Sequence, residues 1–399
     1  MKLHKSKPIL IVLLVSMHSW IFFSCVDQEP QELIDAFTVS MIMPADFGDT
    51  VHFANQLVTL KSNRINYTAK TDMHGKVTFK GIIPGIYNIS THQEITNEVS
   101  LVGDTLQFQL FRTDSLRLKI NKSIKTNLIL SKIYASGTKD TNRRNYVADR
   151  YVEIFNNSDT VQFIDSTFYF GLVEAESVIA YPASRNAGFV FARQVFRLVT
   201  NNSKLALQPG QSILLTNSAI DHTQFSPNSV NLRNADFEAK NTTFSNNSDV
   251  KALELIFSAF PSLIFMNLIN GGDNGAFLFK TTENVRNFPI FYIPGKETGN
   301  RYMRIPIQYV TDGVETLKNF ATTGPRIESK RLQTFVDAGF MFISSISGYT
   351  NESIERRVNV QKSTPNRIYL LDTNNSSNDF RTVTDPTPRK YDKPLLTVN

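Results

Sequence analysis

The sequence predicts an all-β protein built in two units, a small one over residues 36–120 and a larger one over 127–389. Three observations carry this. Thirty Phe and thirteen Tyr occur among 399 residues, Asn, Ser and Thr are abundant, and no long run places Ala, Leu, Glu and Lys at helical spacing. That balance favours strands joined by polar turns. Apolar residues alternate with polar ones over short segments, the period of a half-buried strand. Turn-forming residues punctuate these segments, at Asp72–Gly75, Pro84-Gly85, Asn156–Asp159 and Pro209-Gly210.

The chain opens with Lys2, His4, Lys5 and Lys7, followed by the apolar run Ile9–Phe23, in which only Ser16, His18 and Ser19 are polar. Fifteen residues fall short of the roughly 20 that a membrane span needs and suit the core of a secretory leader. Ser24 then precedes Cys25, the sole cysteine of the chain. A basic start, an apolar core and a small residue before cysteine resemble a bacterial lipoprotein signal over residues 1–24, although Phe22 stands where leucine is usual. The resemblance implies that Cys25 becomes an acylated N-terminus. With one cysteine no intramolecular disulfide can form, and two or more acyl chains anchor a protein stably. Residues 25–35 form an acidic tether, and Asp27, Glu29 and Glu32 resemble the surface-export signal of Bacteroidota lipoproteins. Loss of residues 1–24 removes three lysines and no acid, which leaves 39 basic against 36 acidic residues, a net charge of +3. No long basic stripe follows, so nucleic acid is not an expected partner.

In the small unit, Leu57–Lys61 and Arg64–Lys70 flank a Ser-Asn turn and read as a hairpin. Asp72–Gly75 makes the next turn. Val77 and Phe79 then face one side and Lys76, Thr78 and Lys80 the other. Pro84-Gly85 turns the chain again, since proline fixes φ and glycine tolerates φ > 0. Tyr87 and Ile89, then Leu106, Phe108 and Leu110, then Leu116, Leu118 and Ile120 supply further strands. The stretch TDMHGKVTFKGIIPGIYNI resembles the prealbumin-like β-sandwich modules of carboxypeptidase regulatory domains. The resemblance covers about 85 residues and implies a structural or adhesive spacer without catalysis. The polar segment Asn121–Thr126 reads as a linker.

The large unit carries ILSKIYASG, YVEIFNNSD, LQPGQSILL, GGDNGAFLF, and finally SIERR, DTNNSSNDF and PTPR. In this order the pieces resemble the lamin-tail domain, an immunoglobulin-like β-sandwich. A lamin tail is less than half as long, so long insertions are expected, chiefly over 174–204, 219–262 and 281–350. Inserted loops on a rigid scaffold are the usual home of a binding surface. A fragment begun near Lys125 is therefore expected to fold alone and to carry that surface, with 390–399 a C-terminal tail. The whole layout resembles a family of Bacteroidota outer-membrane lipoproteins that accompany TonB-dependent transporters.

Little in the sequence points to catalysis. Past the leader lie His52, His74, His92 and His222, none paired at zinc spacing. There is no G-x-S-x-G elbow, Walker loop or dinucleotide fingerprint. Glu174 and Glu176 would share one face of a strand and are expected to be solvated. Asp372, Asn374 and Ser376 place oxygens at every second position, as in a calcium loop. Ser377 stands at the glycine position, though, and Val383 at the position of the last ligand. No cofactor is expected and no metal is assigned. Thr50, Thr105, Ser115, Thr160 and Ser166 each follow an aspartate in a triplet that resembles the Bacteroidota O-glycosylation sequon. The expected function is that of a non-catalytic binding or accessory module on the cell surface. A lipid anchor would hold it in the outer membrane beside a TonB-dependent transporter or an extracellular ligand. The alternatives are a structural or adhesive surface protein and, third, a hydrolase formed within the insertions.

Overall fold

The computed structural model describes residues 32–44, 53–62, 65–96, 99–124, 126–176, 188–198 and 203–392. It is all-β as expected: among these residues the one α-helix is the single turn Ser376–Asp379. None of their helices is long and apolar enough to cross a membrane. Cys25, Asp27, Glu29, Thr50 and His52 lie outside the described residues.

The small unit follows its alternation closely. Leu57–Lys61 and Asn66–Lys70 pair antiparallel, from Leu57 opposite Lys70 to Lys61 opposite Asn66. The Asp72 carboxylate accepts the amides of His74 (2.8 Å) and Lys76 (2.9 Å). Gly75 completes that turn at φ +71°, a conformation other residues rarely adopt. In Lys76–Phe79, Val77 and Phe79 are buried while Lys76 and Thr78 are exposed. The strand order is Asn66–Lys70, Leu57–Lys61, Gly85–Glu94, Val99–Leu110, Asp114–Ile124, Phe37–Ile42, Lys76–Phe79. Asp114–Ile124 turns the corner. Its second half pairs with Val99–Gly103, and its first half runs parallel to Phe37–Ile42. The two halves of the sheet share a core that includes Phe37, Val39, Leu60, Ile89 and Leu118. Two boundaries differ from expectation. Ile34 already pairs with Ile82, because its side chain completes that core. The supposed linker is largely strand, since backbone pairing between Val99 and Ile124 continues the ladder through its polar residues.

The large unit stacks two seven-stranded sheets. One runs Lys251–Ala252, Phe237–Glu238, Ser212–Thr216, Tyr151–Asn156, Leu128–Tyr134, Ser353–Arg356, Phe380–Val383. The other runs Ile290–Phe291, Tyr302–Pro306, Phe189–Arg197, Phe168–Val173, Asn274–Lys280, Val310–Thr316, with Glu254–Ser258 also paired to Phe189–Arg197. Period two sorts the side chains. Val152 and Ile154 from the first sheet meet Phe168, Phe170 and Leu172 from the second in the central core. Phe170 and Phe196 stack there at 6.2 Å. Gly171 has no alternative: a Cβ would overlap the Phe277 ring of the adjacent strand.

The outer faces are covered as well. Tyr151 packs outward with Leu214, Val230 and Leu232, and Tyr169 and Val173 pack outward with Val285, Phe288, Leu332 and Val336. Parts of the insertions 219–262 and 281–350 thus coat these faces, while Phe237–Glu238, Glu254–Ser258, Tyr302–Pro306 and Val310–Thr316 within them extend the sheets, and every residue of Phe168–Val173 is buried. The expected insertion 174–204 holds the nine-residue strand Phe189–Arg197, which joins three neighbours. Its apolar content reflects that central position. The chain stays packed beyond 389: Tyr391 lies against Phe155 and its hydroxyl donates to Glu153 at 2.6 Å.

Candidate functional site: a polar cleft between the two units

The alternation that buries Val58, Leu60, Tyr87 and Ile89 turns Thr59, Lys61, Asn88 and Ser90 to the opposite face of the small unit. The register gathers them: Thr59 sits opposite Ser90, Lys61 opposite Asn88, and Ser90 opposite Asp104 on the next strand. This polar face forms one wall of a cleft of about 580 Å³.

The large unit supplies the other wall from three distant segments. Residues 338–342 bring Phe340 and Phe342, the helix Ser376–Asp379 brings Ser377 and Asn378, and the edge strand Phe380–Val383 brings Arg381 and Thr382, with Arg357 beside them. Short bonds hold these segments together. The Ser377 hydroxyl donates to the Phe340 carbonyl (2.8 Å) and accepts from its amide (3.0 Å). The Thr382 hydroxyl donates to the Phe342 carbonyl at 3.0 Å. Gly339 is required, since a Cβ there would run into Asn375 and the Ser377 backbone. Across the cleft, the Lys61 ammonium reaches Asn378 Oδ1 at 3.5 Å.

A buried charge network stands behind this wall. The Arg356 guanidinium meets Asp312, Asp372 and Asp379, each at 3.2 Å, and donates to the Leu130 carbonyl at 2.9 Å. Asp379 in turn accepts the Thr373 amide and hydroxyl. Asp337 accepts the Ser376 amide and hydroxyl and the Gly339 amide, so it fixes 338–342 against 375–379. The calcium-like spacing is absorbed here. Asp372 is engaged by Arg356 and Ser376 by Asp337, while Asn374 adopts φ +53° and its carbonyl accepts from Ala338 at 2.7 Å. Among the described residues no group of three or more His, Cys, Asp or Glu side chains is placed to hold a metal ion.

The cleft is lined by Lys61, Arg357 and Arg381 against the single carboxylate of Asp104. Arg357 donates Nε to the Phe380 carbonyl at 2.9 Å, and Arg381 pairs with Asp392. Both Asp104 oxygens are closed off from solvent without a hydrogen bond of good geometry. Burial pushes this carboxyl up to about 6; the nearby Thr334 hydroxyl and Lys330 ammonium oppose the shift, and Asp337 adds to it.

The remaining expected residues lie elsewhere. Glu32, Ser115 and Thr160 are exposed, whereas Thr105 and Ser166 are half-buried. His74 is exposed in its turn. His222 is buried, 2.7 Å from the Tyr146 hydroxyl through Nδ1 and 2.8 Å from the Ser218 carbonyl through Nε2, and burial pushes its pKa down. Glu174 departs from expectation. It is buried, with Arg331 and Glu315 beside it. It lies 3.7 Å from Arg331, and burial pushes its carboxyl up to about 7. Glu176 instead pairs with Lys296 at 2.5 Å and accepts from the Tyr302 hydroxyl at 2.9 Å. The two glutamates therefore serve different partners. No local pattern in the sequence marks the cleft; the one trace of it is the polar half of the 57–61 and 87–90 alternation.

The fold and cleft define a class: an all-β protein whose two stacked units enclose a polar, cation-bearing cleft. Residues 208–387 match the family described as "Protein of unknown function (DUF4876)", a span that contains the large-unit wall of the cleft. The chain is also similar to the crystal structure of a DUF4876 family protein from Bacteroides thetaiotaomicron. The two share 20% identity and a TM-score of 0.58, over 91% of this chain and 99% of that one. No curated protein matches the chain.

Proposed function

We propose that the protein is a non-catalytic binding module, anchored in the outer membrane through acylated Cys25 and displayed at the surface. Its ligand site is the interunit cleft, and a TonB-dependent transporter is its neighbour. On this reading the small unit is prealbumin-like and the large unit lamin-tail-like. The observation that carries the proposal is the cleft itself. Hydroxyls, amides, cations and aromatic rings converge there from both units, the usual composition of a recognition site. Among the described residues its lining holds one carboxylate and neither histidine nor cysteine, which favours ligand contacts over an acid–base pair. The anchor adds geometry. Ile34 is fixed in the small unit's core at 4% exposure. Nine residues separate it from Cys25 and span at most ~30 Å when extended, which keeps the small unit close to the membrane surface.

The test combines anchoring with capture. Labelled palmitate should enter the wild-type protein and not Cys25→Ala. Protease shaving of intact cells should degrade the wild type and spare a variant with Asp27, Glu29 and Glu32 changed to Ala. Affinity capture from solubilised outer membranes should recover a transporter. Equal labelling of Cys25→Ala, or capture of no membrane partner, would overturn the anchored accessory role.

A further inference from the structure

We propose that the cleft takes a carboxylate-bearing carbohydrate, an inference that rests on the cleft being the ligand site. Three features lead to this class. The first is charge. Three cations line the cleft, while the oxygens of its only carboxylate, Asp104, are closed off from solvent. With Arg381 paired to Asp392, Lys61 and Arg357 are the cations that the cleft offers directly to an anionic ligand. The second is a guanidinium set for use. Arg357 is exposed, its backbone is tied to the Asp379 carbonyl at 2.6 Å, and its Nε is spent on the Phe380 carbonyl. Its two terminal nitrogens have no protein partner among the described residues and form a planar fork that matches a carboxylate. Lys61 supplies a second cation on the opposite wall, its ammonium 3.5 Å from Asn378 Oδ1. The third feature is the combination of an aromatic face with paired neutral polar groups. Phe342 is 42% exposed, and an exposed ring beside hydroxyls suits the C–H face of a sugar. Thr59 and Ser90, opposite each other, can each donate and accept, as sugar hydroxyls require, and the Lys61 ammonium adds a donor.

An acidic peptide fits less well. Extended peptides bind by adding to an open sheet edge. On the small-unit wall, Leu57–Lys61 and Gly85–Glu94 are each paired on both sides. On the facing wall the edge strand Phe380–Val383 has four residues. Its Phe380 carbonyl is taken by Arg357, and its Thr382 hydroxyl binds the 338–342 loop beside it.

The test is calorimetric titration of the full chain in detergent with oligogalacturonate and sialyllactose. Each is paired with its neutral counterpart, methyl-esterified oligogalacturonate and lactose, and tetraglutamate serves as the acidic peptide. We expect an acidic saccharide to bind, its neutral counterpart to bind about tenfold or more weakly, and rising salt to weaken the interaction. Arg357→Glu should lower the affinity about tenfold or more while Arg357→Lys retains part of it. Lys61→Glu, on the other unit, should also weaken binding, and unchanged melting curves would show that both variants fold. Equal binding of the neutral saccharides, preference for tetraglutamate, or no carboxylate-dependent binding would overturn the inference. A transporter still captured by Arg357→Glu would show that the accessory role survives that failure.

Discussion

Replacing Asp104 with asparagine removes a charge that the folded protein must bury without a well-formed hydrogen bond. In the native state the carboxyl is raised from its ordinary 3.8 to about 6, with burial as the largest cause. A shift of about two units corresponds to about 3 kcal/mol. The sign follows from proton binding. The native state holds the Asp104 proton more tightly than the unfolded chain, so ionisation costs stability. That cost is absent below about pH 3.8, grows as pH rises and is complete above about pH 6. It amounts to about 1 kcal/mol at pH 4.5 and about 3 kcal/mol at pH 7. The introduced amide does not titrate, so whatever constant offset it adds near Thr334 is the same at both values. Urea unfolding followed by far-UV circular dichroism should show the variant gaining about 2 kcal/mol on the wild type between pH 4.5 and pH 7. A stability difference that stays flat with pH, or that shrinks as pH rises, would refute the buried-carboxylate argument.

Three further outcomes are expected. Arg356→Met strands Asp312, Asp372 and Asp379 without their counter-ion and should cost about 3–5 kcal/mol, less at pH 4 than at pH 7, read by the same unfolding curves. Phe170→Ala empties the centre of the sandwich, where Phe170 is fully buried against Phe196. It should cost about 3–5 kcal/mol, and a loss below about 1 kcal/mol would mean that the two sheets do not pack there. A fragment of residues 125–399 should give a β-type dichroism spectrum, because both large-unit sheets lie within it, yet it should not bind the cleft ligand. Thr59, Lys61, Asn88 and Ser90 are removed with the small unit, so full affinity in the fragment would place the site elsewhere.

What the sequence determined by itself is what depends on near neighbours. The 57–70 hairpin, the Asp72–Gly75 turn and the faces of Lys76–Phe79 follow from turn chemistry and from side chains alternating every second residue. The same holds for the runs at 151–155 and 168–170, and so for the all-β class. Tertiary structure decided what lies over each face. Glu174 reads as a solvated strand residue until Arg331 and Glu315 come to lie beside it. Residues 189–197 read as part of an insertion until three strands pair with them. Asn121–Ile124 read as a linker until Val99–Gly103 extends the ladder along them. The cleft is the extreme case: Lys61 and Asn378, which face each other across it, are 317 residues apart in the chain. Strand periodicity is a local property of the backbone, whereas burial and the pairing of distant walls depend on which surfaces meet when the units dock, and no neighbouring residue records that.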